Sequence, residues 1–117
     1  MNDDLPTDLT PEALLVLADH QDEDGSLWRA ITIEDDAFVL SGHDVGPGVE
    51  RVLGCREYEF ERRLTAEETA RLRALLGVAG AQPLLDAVAA RFDAVEELEA
   101  YLAEHEIEGI FWSQLGE

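Results

Sequence analysis

The sequence predicts an α+β domain: an antiparallel sheet of about four strands in the N-terminal half, then about three helices packed on one face of it. Three observations lead there. Before Thr65 the apolar residues alternate with polar ones or gather in short β-branched and aromatic runs, set off by turn clusters. After Thr65 they recur at intervals of three and four. The change of period falls inside one stretch, residues 54–77, so strands come first and helices second, the order of a sheet with a helical layer. The 117 residues, 46% of them hydrophobic, make one domain with a core of its own.

Residues 1–9 are polar and read as a flexible N-terminal segment. Thr10-Pro11-Glu12 has the form of a helix start, with proline at the first helical position. The run Leu14-Leu15-Val16-Leu17-Ala18 reads equally well as a buried strand. The turn cluster Gln21-Asp22-Glu23-Asp24-Gly25-Ser26 and the β-rich run from Leu27 to Ile33 favour a hairpin joining residues 14–20 to 27–33. Glu34-Asp35-Asp36 turns the chain into Ala37-Phe38-Val39-Leu40-Ser41, a strand apolar on both faces and so central or covered. Gly42-His43-Asp44-Val45-Gly46-Pro47-Gly48, with three glycines and a proline, reads as a loop. Residues 49–53 lead into the next strand.

From Cys55 to Leu64, Tyr58, Phe60 and Leu64 share one face with Arg56 and Arg62, while Glu57, Glu59, Glu61 and Arg63 take the other. Thr65-Ala66-Glu67-Glu68 is a capping box opening a helix with Leu72, Leu75 and Leu76 on its apolar side, closed by Gly77. A second helix carries Pro83 in its first turn and a stripe of Leu84, Leu85, Val88, Ala89 and Phe92. A third is capped by Asp93, buries Leu98, Tyr101 and Leu102, and runs to about His105. Ile107, Ile110, Phe111 and Trp112 form an apolar tail, with Trp112 expected to dock on the core.

Charge is the most pronounced property of the chain. There are 27 acidic residues against eight arginines and no lysine, a net charge of −19. Residues 1–24 and 93–117 each carry eight acids and no lysine or arginine, so the ends supply −16 of it. If the ends meet in the fold, they make one acidic surface that attracts a basic protein partner and repels nucleic acid and anionic membranes. Asp19, Asp22, Glu23, Asp24, Glu96, Glu97 and Glu104 are the candidate partner surface. Codon bias in a GC-rich genome and a salt-rich cytoplasm explain the same composition without a partner. The single cysteine, Cys55, leaves no internal disulfide, and no run of about 18 apolar residues or basic-then-apolar leader occurs; the expectation is a cytoplasmic protein.

The chemistry-bearing residues form no recognised set. Asp22-Glu23-Asp24-Gly25 fails as a calcium loop: with Gly25 sixth, position one is His20 and position twelve Ile31. Gly46-Pro47-Gly48 lacks the lysine and helix start of a phosphate loop. Cys55 with His43 could form a thiol–base dyad, but the cysteine reads more simply as a small buried residue. His20, His43 and His105 have no metal-ligand spacing within one element. The Glu57-Glu59-Glu61 ladder reads as a solvated or partner-facing row, with a cation-binding face as the alternative. No cofactor is expected. The leading expectation is a non-enzymatic binding protein of immunity or regulatory type. The alternative is a small enzyme or a metal or small-ligand binder using His43 and Asp44 on the glycine-rich loop, with His105. A homodimer through the second sheet face is a further expectation, from the two-sided strand at residues 37–41 and Trp28.

Three segments, Leu40-Ser41-Gly42-His43-Asp44-Val45-Gly46-Pro47, Glu57-Tyr58-Glu59-Phe60 and His105-Glu106-Ile107-Glu108-Gly109-Ile110-Phe111-Trp112-Ser113, resemble a group of small acidic proteins of actinobacterial type that carry no assigned activity. The resemblance spans residues from roughly 13 to 116. It implies a bacterial, intracellular, single-domain protein and a strand at residues 14–20, and it carries over no functional residue.

Overall fold

A computed structural model describes residues 13–116. It has five strands and four helices, in the order β1 (Ala13–Asp22), β2 (Gly25–Glu34), β3 (Ala37–Val45), α1 (Pro47–Leu53), β4 (Glu57–Arg63), α2 (Ala66–Leu76), α3 (Ala81–Arg91), α4 (Val95–Glu104) and β5 (Ile110–Gly116). The strands form one antiparallel sheet in the order β1-β2-β3-β4-β5. The α+β class stands, with one strand and one helix more than the sequence predicts. The segment at residues 1–9 and the helix start at residues 10–12 lie outside the described residues.

The extra strand is β5. The expected apolar tail divides: Ile107 is buried in the core, whereas Trp112 is 49% exposed. Trp112 pairs with Glu61 in the ladder with β4 and so lies on the sheet instead of docking into the core. A free β4 edge, with its unpaired backbone groups, recruits this segment. The extra helix is α1, read from sequence as loop and lead-in. Gly46 and the left-handed Gly54 bracket it, Pro47 opens it, and it buries no residue. Asp93 does not cap α4. Ala94 is the cap residue, and the Glu97 carboxylate accepts from the Asp93 N–H at 2.8 Å.

Residues opposite one another in an antiparallel ladder share a face. One row runs Leu15, Ile31, Leu40, Arg62, Phe111, and another Arg29, Gly42, Phe60, Ser113. Ile31, Ile33, Phe38, Leu40 and Phe60 of this face form one core with Leu72, Leu84, Leu85, Val88, Leu98 and Leu102 of α2–α4. A bulge between Val16 and Ala18 keeps Leu17 against that core. Among the described residues no helix lies on the other face. β3 is the middle strand, and Phe38, Val39 and Leu40 are all at most 1% exposed. Val39 lies on the helix-free face, where Arg63 reaches from β4 to Glu34 on β2 at 3.2 Å, closing over β3. Among the described residues no single helix is long and apolar enough to cross a membrane.

The capping box at Thr65 joins the two layers. Thr65 Oγ1 accepts from the Glu68 N–H at 3.0 Å, and Glu68 Oε1 accepts from the Thr65 N–H at 2.9 Å. The second Glu68 oxygen accepts from the Gly109 N–H at 3.2 Å, tying the start of α2 to the approach of β5. Thr69, fully buried, accepts from the Phe38 N–H at 3.0 Å and donates to the Thr65 carbonyl at 2.8 Å. The Thr65 N–H is the main reason the Glu68 carboxyl sits below the ordinary glutamate range, with Gly109 adding to it. A depressed carboxyl contributes stability above its unfolded value and loses it as pH falls through the folded one. Thr65→Ala should therefore cost about 1 kcal/mol in urea unfolding at neutral pH. Glu68→Gln should flatten the loss of stability from about pH 4.5 downward; an unchanged acid limb would remove Glu68 from this role.

Candidate functional site

His43 and Asp44, neighbours in sequence, are consecutive residues of β3 and point to opposite faces. The expected glycine-rich loop is therefore partly strand, and these two side chains do not converge. Gly42 stands there to make room, not to turn the chain. A Cβ at Gly42 would lie 2.1 Å from Cε1 of Phe60 and 2.9 Å from Nη1 of Arg29. His105 closes α4, its ring centroid 4.5 Å from that of Tyr101 and its carbonyl accepting from Arg71.

Asp44 belongs to the helix-covered face. Arg29 grips it with two hydrogen bonds, Nη1 to Oδ1 at 2.6 Å and Nη2 to Oδ2 at 3.1 Å, and lies 5.0 Å above the Phe60 ring. Both side chains are less than a fifth exposed, so this is a partly desolvated, bidentate pair. It stands in the wall of a groove where the helical layer stops short of the sheet's end. A cavity there of about 380 Å³ lies between the β1–β2 hairpin, β4 and α1, with Leu27, Val49, Val52, Leu53 and Tyr58 as its apolar lining. Two smaller cavities adjoin it, one through Tyr58 and one through Leu27; they share Arg29 with each other and extend to Asp93, Glu96 and Glu99 around the start of α4. Val52 is 80% exposed, and Leu27 and Leu53 are also exposed.

Acids from both ends of the chain rim this groove. Asp22 and Asp24 stand on one side, Asp93 and Glu96 on the other. Asp22 accepts from His20 at 2.9 Å and from the Asp24 N–H at 2.8 Å; the His20 bond first, and then the Asp24 N–H, hold its carboxyl below the usual range. Asp24 pairs with Arg51 of α1 at 2.6 Å, fixing the hairpin tip to the helix. The other expected surface residues are dispersed. Glu23 lies in the turn, Asp19 pairs with Trp28 on the opposite face, Glu97 bonds to Asp93 N–H, and Glu104 ends α4, about 12 Å along the helix from Glu96.

His43 lies on the open face. Its Nε2 is 2.6 Å from Glu57 Oε2, and Glu59 stands directly across the ladder from it. Sequence reading counted Glu57 and Glu59 as members of a carboxylate row. The signal that a nitrogen donor joins them is the β3–β4 register, which only the turn geometry between those strands sets. Cys55 Sγ donates to the Glu57 carbonyl at 3.3 Å.

No protein-family model, curated protein or solved structure matches the chain. The groove geometry yields its own check. Gly42→Ala should displace the Phe60 ring and Arg29, costing about 1–3 kcal/mol in chemical denaturation. Unchanged stability would mean that this contact does not hold the groove wall.

Proposed function

We propose that the chain is a non-enzymatic binding module that receives a basic, partly apolar segment of a protein partner in the groove on its helix-covered face. The observation that carries this reading is the convergence of Asp22 and Asp24 with Asp93 and Glu96 around an apolar floor of Leu27, Tyr58, Val49 and Val52. Acids alone attract any cation. An apolar floor between acidic rims selects a chain that carries both charges and hydrophobic side chains, because burial supplies affinity and the rim supplies orientation. Arg29 is already engaged by Asp44 and the Trp28 carbonyl, so it does not face the acidic rims as a free cation.

The test uses two labelled peptides of equal positive charge, one alternating arginine with leucine and one alternating arginine with glycine. The arginine–leucine peptide should bind one to one and weaken between about 0.1 and 0.5 M salt as screening shortens. Replacing Asp22, Asp93 and Glu96 together by their amides should weaken it about tenfold. Replacing Glu67, Glu104 and Glu106 in the same way should leave it nearly unchanged. Equal binding of both peptides, or an equal loss in both triple variants, would show diffuse charge attraction and sink the groove.

A further inference from the structure

We propose that His43, Glu57 and Glu59 form a binding site for a divalent first-row transition ion, zinc above others, on the open face of the sheet. The groove is on the other face, so this site stands or falls separately. One donor atom from each of the three residues lies within 4.8 Å of the other two, and all three side chains are half-buried. The backbone imposes this arrangement. His43 and Glu59 are directly opposed on β3 and β4, while Glu57 is two residues from Glu59 on the same strand and face.

The donor set fits such an ion. One imidazole nitrogen and two carboxylate oxygens suit zinc and its neighbours, whereas calcium and magnesium favour oxygen alone. Zinc–ligand distances of about 2.0–2.2 Å would bring the donor atoms to roughly 3.4 Å apart in a tetrahedron. His43 Nε2 and Glu57 Oε2, hydrogen-bonded at 2.6 Å, must part by about 1 Å to admit the ion, while the Glu59 oxygen starts within 4.8 Å of both; rotation of the two glutamate side chains makes these adjustments without moving the strands. Three protein ligands leave a fourth position for water, the open coordination of a reactive zinc site rather than a closed structural one.

Charge favours occupancy. Of the three glutamates in the row, Glu61 pairs with Arg63 at 3.3 Å. Among the described residues Glu59 has no ion pair with a base, and Glu57 has only His43. Glu57 and Glu59, with carboxylate oxygens within 4.8 Å of each other, repel one another. A divalent ion between them removes that repulsion and bonds to both.

Trp28 stands opposite His43 in the β2–β3 ladder and reports on the site. Zinc added to the metal-free protein should bind at one equivalent by calorimetry and raise Tm by about 5–10 °C at a hundredfold excess over Kd. Cobalt should show the visible bands of a four-coordinate ion and quench Trp28 in a Trp112→Phe background. His43→Ala and Glu59→Gln should each weaken zinc at least tenfold. Glu61→Gln and His20→Ala, which leave the three donors in place, should not. Absence of one-equivalent binding, binding that survives His43→Ala, or calcium binding as tightly as zinc would each overturn the site.

Discussion

The pairing of β4 with β3 governs what each face of this sheet can do. In an antiparallel ladder opposed residues share a face and sequence neighbours do not. That one rule sends Asp44, Tyr58 and Phe60 under the helical layer and His43, Glu57 and Glu59 to the open side. The ladder holds only because Gly42 leaves space for the Phe60 ring opposite it, with Arg29 lying over the same ring and gripping Asp44. One small residue in the middle strand thus permits the aromatic and the ion pair that shape the groove wall. The same register brings an imidazole beside two carboxylates on the reverse side.

Arginine supplies the ties between elements. Arg51 joins α1 to the β1–β2 turn, Arg62 reaches the Glu108 carbonyl before β5, Arg63 spans β4 to β2, and Arg71 bonds the carbonyl that ends α4. Each is partly exposed, and such contacts are worth at most about 1 kcal/mol singly. Their effect is on geometry: a planar fork fixes direction as an ammonium does not. All eight arginines lie between residues 29 and 91, so they are spent on assembling the middle of the chain. Of the described acids at the two ends, Asp24 pairs with Arg51 and Glu99 lies 3.9 Å from Arg62.

What was legible in the sequence was local. The capping box needs only four residues, and the two faces of β4 need only the alternation from Glu57 to Arg63, so both stand as read. The β1–β2 hairpin follows from a turn cluster between two β-rich runs. β5 was not legible as a strand because most of its side chains are exposed and its reason for being is a free edge on β4, far back in the chain. α1 was hidden because seven residues without one buried side chain leave no amphipathic stripe between flanking glycines. Side-chain placement around the candidate residues was hidden for the same reason. His43 and Asp44 look like partners on a line of text, and a pleat separates them. Glu57 and Glu59 look like a solvated row, and a residue from another strand turns them into a donor set.

The topology also decides which part of the acidity can matter to a partner. β1 and β5 occupy opposite edges of the sheet, so the two acidic ends do not simply lie side by side. α4 crosses back, and only its first turn comes close to Leu17, Ala18 and Leu27. That separates Asp93 and Glu96, beside the groove, from Glu104 at the far end of the helix. Exposed charges more than about 10 Å apart are largely screened at ordinary ionic strength, so Glu104 adds little to the field felt at Leu27. Net charge alone then raises encounter rates with every cation equally. Selection begins only where a few unneutralised carboxylates stand within one screening length of apolar surface that a partner side chain can cover. Among the described residues, the groove between the β1–β2 turn, α1 and the start of α4 meets that condition with acids from both chain ends.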